Sequence, residues 1–152
     1  MIDVDTARFT VGVFQDAAWA EKGVNALVRA GLTADALTVA AKESPEGAAL
    51  IRRTFGAEGD RLDLAHLGAV LARGPLVDAL QGPDRDLARL GLSGTMRRVG
   101  FQAHDSRIFE ALLARGGVLV AVRSESRAAD ALAVLLSHGG GNAAIGAWTG
   151  RV

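Results

Sequence analysis

Apolar and polar positions alternate along this chain in two stretches that match when the sequence is laid over itself at a shift of 108 residues. Thr10-Val11-Gly12-Val13-Phe14 then lies over Val118-Leu119-Val120-Ala121-Val122, two runs of strand-like composition. Asp16 lies over Ser124, and both residue types cap helices. Ala20, Val24, Leu27 and Val28 fall over Ala128, Leu132, Leu135 and Leu136, the i, i+4, i+7, i+8 stripe of an amphipathic helix, twice over. Gly31 falls over Gly139, each placed to stop its helix in a left-handed turn. Leu37 and Val39 fall over Ile145 and Ala147, in two further strand candidates.

The pattern predicts two β-α-β units, residues 9–42 and 117–149, within one domain spanning 1–152. Such units build an α+β fold with a ferredoxin-like four-stranded sheet. The apolar runs Thr10–Phe14 and Val118–Val122 are expected at its centre. The mixed runs Ala36–Lys42 and Asn142–Thr149 are expected at its edges. A doubly wound parallel sheet is the alternative, but only four good strand candidates stand out.

Residues 44–116 read as a helical insert. Glu46–Phe55 follows Ser44-Pro45, and Asp60–Arg73 carries Leu62, Leu64, Leu67, Val70 and Leu71 as an apolar face. Gly74-Pro75 and Gly82-Pro83 break the chain around a further turn at Leu76–Leu80. Asp84–Val99 and His104–Arg115 complete the set. If Leu37, Val39, Ile145 and Ala147 face the repeat helices, Trp148 points to the other face of the sheet. That second face must be covered, because an exposed contiguous apolar patch is unfavourable. The insert, a second subunit or both together would serve. Phe14, Val120 and Trp148 are therefore the candidate oligomer or partner surface, and a homodimer or higher oligomer is expected.

Composition narrows the chemistry. Acids and bases balance at 17 each, which gives no electrostatic case for nucleic acid or an anionic membrane. The chain has no cysteine, which removes disulfides, thiolate nucleophiles and Cys-ligated metals. Its first residues, Met1-Ile2-Asp3-Val4-Asp5, lack the basic and apolar regions of a signal peptide. The longest uncharged stretch, 131–150, is interrupted by Ser137-His138-Gly139-Gly140-Gly141-Asn142, so no membrane span is expected and a cytoplasmic location is.

Ile108-Phe109-Glu110-Ala111-Leu112-Leu113-Ala114-Arg115-Gly116-Gly117-Val118-Leu119-Val120-Ala121-Val122-Arg123 runs a helix through a Gly-Gly pair into an apolar strand. Together with Val11-Gly12-Val13-Phe14, Gly31-Leu32, Ala36-Leu37-Thr38-Val39 and Gly74-Pro75-Leu76, it resembles the small bacterial heat-induced general stress proteins. The resemblance covers both ends and part of the insert. It implies a stress-related role in bacterial cytosol, with no assigned activity and no functional residues to carry over. The chain departs from the family at Gln102, where proline is common, and at Phe109, where tyrosine is common. Arg73, Asp78, Asp84, Arg85 and Asp86 interrupt the family's Gly/Ala-rich centre, which argues against a zipper of small residues.

Candidate chemistry is sparse. His104 and Asp105 are neighbours, but adjacent helical residues point about 100° apart, which suits a first-turn acid better than a dyad. His66, His104 and His138 share no ligand spacing, so neither a metal nor a cofactor is called for. Gly139-Gly140-Gly141-Asn142 resembles part of a dinucleotide fingerprint, but it precedes a strand rather than a helix and reads as a helix stop. Gly91–Thr95 with Arg97 and Arg98 could form an anion nest, although a turn in the insert explains the same residues. Trp19 is read as a core or rim residue.

Three functions follow. The first is a non-enzymatic stress-associated protein acting through oligomer assembly or a protein partner. The second is a small-molecule-sensing module with a ligand pocket at a subunit interface and Gly139, Gly140, Gly141 and Asn142 as one wall. The last is an enzyme of the dimeric α/β-barrel type using His104 or the insert's arginines.

Overall fold

A computed structural model of the chain describes residues 7–82, 85–123, 133–135, 137 and 141–148. In chain order the elements are β1 (Ala7–Phe14), α1 (Ala17–Arg29), β2 (Leu37–Lys42), α2 (Pro45–Phe55), β3 (Asp60–Leu64) and β4 (Gly68–Arg73). They continue with α3 (Pro75–Gln81), α4 (Asp86–Arg98), α5 (Ala103–Ala114), β5 (Val118–Arg123) and β6 (Gly141–Trp148). The strands form one antiparallel sheet in the order β3-β4-β2-β5-β1-β6. The α+β class expected from the sequence holds, and β1 and β5 are internal strands. Of the second repeat helix only 133–135 and 137 are described, and Leu135 is fully buried there.

Local chemistry accounts for the first repeat. The Asp16 carboxylate accepts the Trp19 amide at 2.9 Å and starts α1, while Ser44 Oγ accepts the Gly47 amide at 2.9 Å ahead of Pro45 and starts α2. Gly31, at φ +98°, turns the chain after α1. Within α1, Gly23 sits where any Cβ would collide with the Phe14 ring. The helix therefore carries a residue of poor propensity so that it can lie close to the sheet.

Two corrections concern the insert. It is not helical throughout, because Asp60–Arg73 is the hairpin β3–β4. Leu62, Leu64, Leu67 and Leu71 fit a helical stripe, but Leu62, Leu64, Val70 and Ala72 equally fit strands with one face inward. Positive φ at His66 (69°) and Gly68 (79°) makes a tight turn that a helix cannot accommodate. The second correction is that Ala36–Lys42 lies inside the sheet. β2 pairs with β5 on one side and β4 on the other, and Leu37–Ala41 are all buried. A strand so apolar needs a hydrogen-bonding neighbour on each side, and the hairpin is that second neighbour. The sheet consequently exceeds the four strands expected.

Each face of the sheet has its own core. Phe14, Leu37, Val39, Val118, Val120 and Val122 pack with Val24 and Leu27 of α1 and Leu50 and Ile51 of α2. On the other face, Val11, Val13, Leu119 and Ala121 pack beneath Leu76 and Leu80 of α3, Met96 of α4, and Phe109 and Leu113 of α5. Of the insert, α3, α4 and α5 thus cover the face that the sequence left to the insert, a second subunit or both, while α2 lies beside α1. Phe101 and Phe109 meet edge to face there, with ring centroids 6.0 Å apart.

Two polar devices hold the insert in place. Gly74, at φ +131°, sits where any Cβ would collide with Leu37 O and Thr38 Oγ1, and the Leu76 amide donates to Thr38 Oγ1 at 3.0 Å. A β2 side chain thereby caps α3 in place of the one that Gly74 lacks. Arg98 pairs with the buried Asp86 and donates to Leu80 O at 2.9 Å, joining α4 to the end of α3.

Candidate functional site

Among the described strands β3 and β6 form the two edges of the sheet, and they differ in chemistry. β3 is short, and Asp60, Arg61 and Asp63 are charged. Arg61 pairs with Glu43 at 3.2 Å and Asp63 at 3.5 Å across an exposed rim. β6 has eight residues, Gly-Asn-Ala-Ala-Ile-Gly-Ala-Trp, with no charge and no proline. Its inner side pairs with β1 from Ala7↔Trp148 to Val13↔Gly141, with a shift in register between Val11 and Val13. On its outer side no described strand is hydrogen-bonded to it. A strand edge is a row of unmet backbone donors and acceptors, and charge is a common means of keeping other strands away from it. β3 has that protection and β6 does not.

A cleft of about 490 Å³ opens at the end of the sheet where β1 and β2 finish and β5 begins. Asp16, Lys42, Ser44, Glu46, Gly116 and Val118 are among its lining residues. Lys42 Nζ reaches Ala114 O at 3.5 Å. Gly141 pairs with Val13 near this same end of the sheet. A second cleft, of about 350 Å³, lies where Asp35, Asp60, Arg73, Gly74 and Asp78 meet.

The residues singled out from sequence have varied fates. Phe14 and Val120 are fully buried beneath α1 and α2, so neither is a partner surface. Their place in the strand alternation puts them on the α1 side, opposite to the face expected. Trp148 pairs through its backbone with Ala7 on the edge strand, and its side chain lies outside the described residues. Gly139 and Gly140 also lie outside them, whereas Gly141 and Asn142 open β6.

The nest at Gly91–Thr95 is filled by the chain itself. Gly91, at φ 84° and ψ 171°, breaks α4, and the Ser93 amide beyond the break donates to Glu110 Oε2 at 3.3 Å. His104 is exposed in the first turn of α5, and His66 sits in the β3–β4 turn. Among the described residues no cluster of three or more His, Cys, Asp or Glu side chains is placed to hold a metal. No described helix is long and apolar enough to cross a membrane. Trp19 is a rim residue, 40% exposed, with Lys22 Nζ 4.7 Å from its ring centroid. Comparison with protein-family models, curated proteins and solved structures finds no match for the chain.

Proposed function

We propose that this protein is a non-enzymatic assembly module that works by joining copies of itself, with the neutral edge of its sheet as the contact. The observation that carries this reading is the contrast between β3, guarded by three charges, and β6, a longer strand with none. The strands of the two repeat units run β6-β1-β5-β2, which supports assigning them a ferredoxin-like arrangement, extended by the hairpin. A stress-associated role in bacterial cytosol rests on the family resemblance.

Light scattering on the purified protein tests the reading, with Ala143→Pro and Ala144→Pro as variants. Alternate residues of an antiparallel strand direct their N–H groups to opposite sides. One proline therefore removes a donor facing β1 and destabilises the fold. The other removes an outward donor and yields a folded monomer. A wild-type protein that stays monomeric at every concentration defeats the reading.

A second reading, a small-molecule sensor, is favoured by the 490 Å³ cleft beside Lys42. It requires saturable thermal stabilisation by one metabolite, lost when Gly47 in the cleft wall is changed to Val.

A further inference from the structure

We infer that the occupant of the β6 edge is β6 of a second copy, paired antiparallel about a two-fold axis normal to the sheet. The inference rests on the assembly reading above and specifies its geometry.

Symmetry and charge together lead to it. A two-fold contact is self-complementary, so each residue of the strand meets a residue of the same strand. Eight uncharged residues can be laid against themselves in any antiparallel register without opposing like charges. Four alternate residues per strand would present a donor and an acceptor to the partner, so both rows of outward backbone groups are satisfied at once. Asn142 is the one residue of β6 with a polar side chain other than the Trp148 indole.

The axis fixes the arrangement of the layers. Edge strands become antiparallel neighbours by half a turn within the plane of the sheet, which leaves each face on its own side. Both sets of α3, α4 and α5 then lie on one face of a continuous sheet, and both α1–α2 pairs lie on the other. The two clefts near Lys42 come to opposite ends of the strands, since antiparallel pairing reverses strand direction. The charged β3 strands become the two outer edges of the pair. Growth therefore stops at two copies, because no neutral edge is left.

A cysteine scan tests this directly, and the natural chain has no cysteine to interfere. Single cysteines are placed in turn at 142 to 147 and oxidised with copper phenanthroline, with Asp63→Cys as control. In antiparallel self-pairing a residue meets its own copy only on the axis. Each step away separates the two copies by about two residue rises, roughly 7 Å. A disulfide needs Cα atoms about 4.4–6.8 Å apart. The expected result is a single maximum of cross-linked dimer in the scan, falling away on both sides, and no dimer at position 63. A protein that is dimeric by light scattering yet gives no maximum in β6 overturns the edge geometry and leaves assembly standing. A monomer with no cross-linking at any position overturns both. Equal cross-linking along β6 would show parallel pairing and also overturn the geometry.

Discussion

The two ends of this sheet solve the problem of an unpaired strand in different ways. At the β3 end the chain charges its edge. The hairpin is held to the body by the pairing of β4 with β2, and Arg61 holds Glu43 and Asp63 along the rim. At the β6 end the strand is longer, neutral and paired on one described side only. Nothing in the repeat itself dictates this difference. In the first unit β2 gained the hairpin as a neighbour, whereas its counterpart β6 has no described neighbour beyond β1. A single insertion between two similar units is enough to give the sheet one charged edge and one neutral edge.

The comparison can be broken most severely at its charged end. Gly74→Val places a side chain against Leu37 O and Thr38 Oγ1 at a backbone angle that valine does not tolerate. The expected loss exceeds about 3 kcal/mol, measured by urea denaturation, with the α3 side of the molecule failing first in hydrogen exchange. Removing charge sharpens the comparison. Asp60→Asn, Arg61→Gln and Asp63→Asn together make the second edge neutral too, and the paired molecules should then grow into longer chains visible by sedimentation velocity. If that triple variant keeps the wild-type size, charge is not what guards β3.

Smaller effects are expected where a single polar contact is removed. Thr38→Val deletes the acceptor for the Leu76 amide and should cost about 1–2 kcal/mol without changing the association state. Arg61→Ala loses only exposed pairs, and the cost should be at most about 0.5 kcal/mol in the same denaturation assay.

Much of this architecture could be read from residues. The two strand runs around Val11 and Leu119, the cap at Asp16 and the stop at Gly31 each carry a local signal and fall where expected. Gly74 does break the chain, but it ends a strand rather than a helix. The hairpin was hidden because Leu64, Leu67 and Leu71 fit a helical stripe while Leu62, Leu64, Val70 and Ala72 fit two strands with one face inward. What distinguishes the readings is Gly68 in the turn and the fact that a strand as apolar as Leu37–Ala41 needs two neighbours. The sequence also suggested a second face in need of a cover without saying whether the insert, a second subunit or both supply it, since apolar strands do not say what will lie over them. Phe14 and Val120 were misplaced for the same reason: alternation shows which residues share a face but not which helices lie over it. The open edge became legible only once the strand order was known. The Glu110 contact to Ser93 had no sequence signal, because it depends on how α4 bends at Gly91.

The most direct test of the open edge is amide hydrogen exchange measured at several protein concentrations. Slowed exchange at alternate residues of β6 as concentration rises, with β3 unchanged, is the predicted result. Protection in β6 that does not depend on concentration, or a rise at β3 instead, would contradict the account.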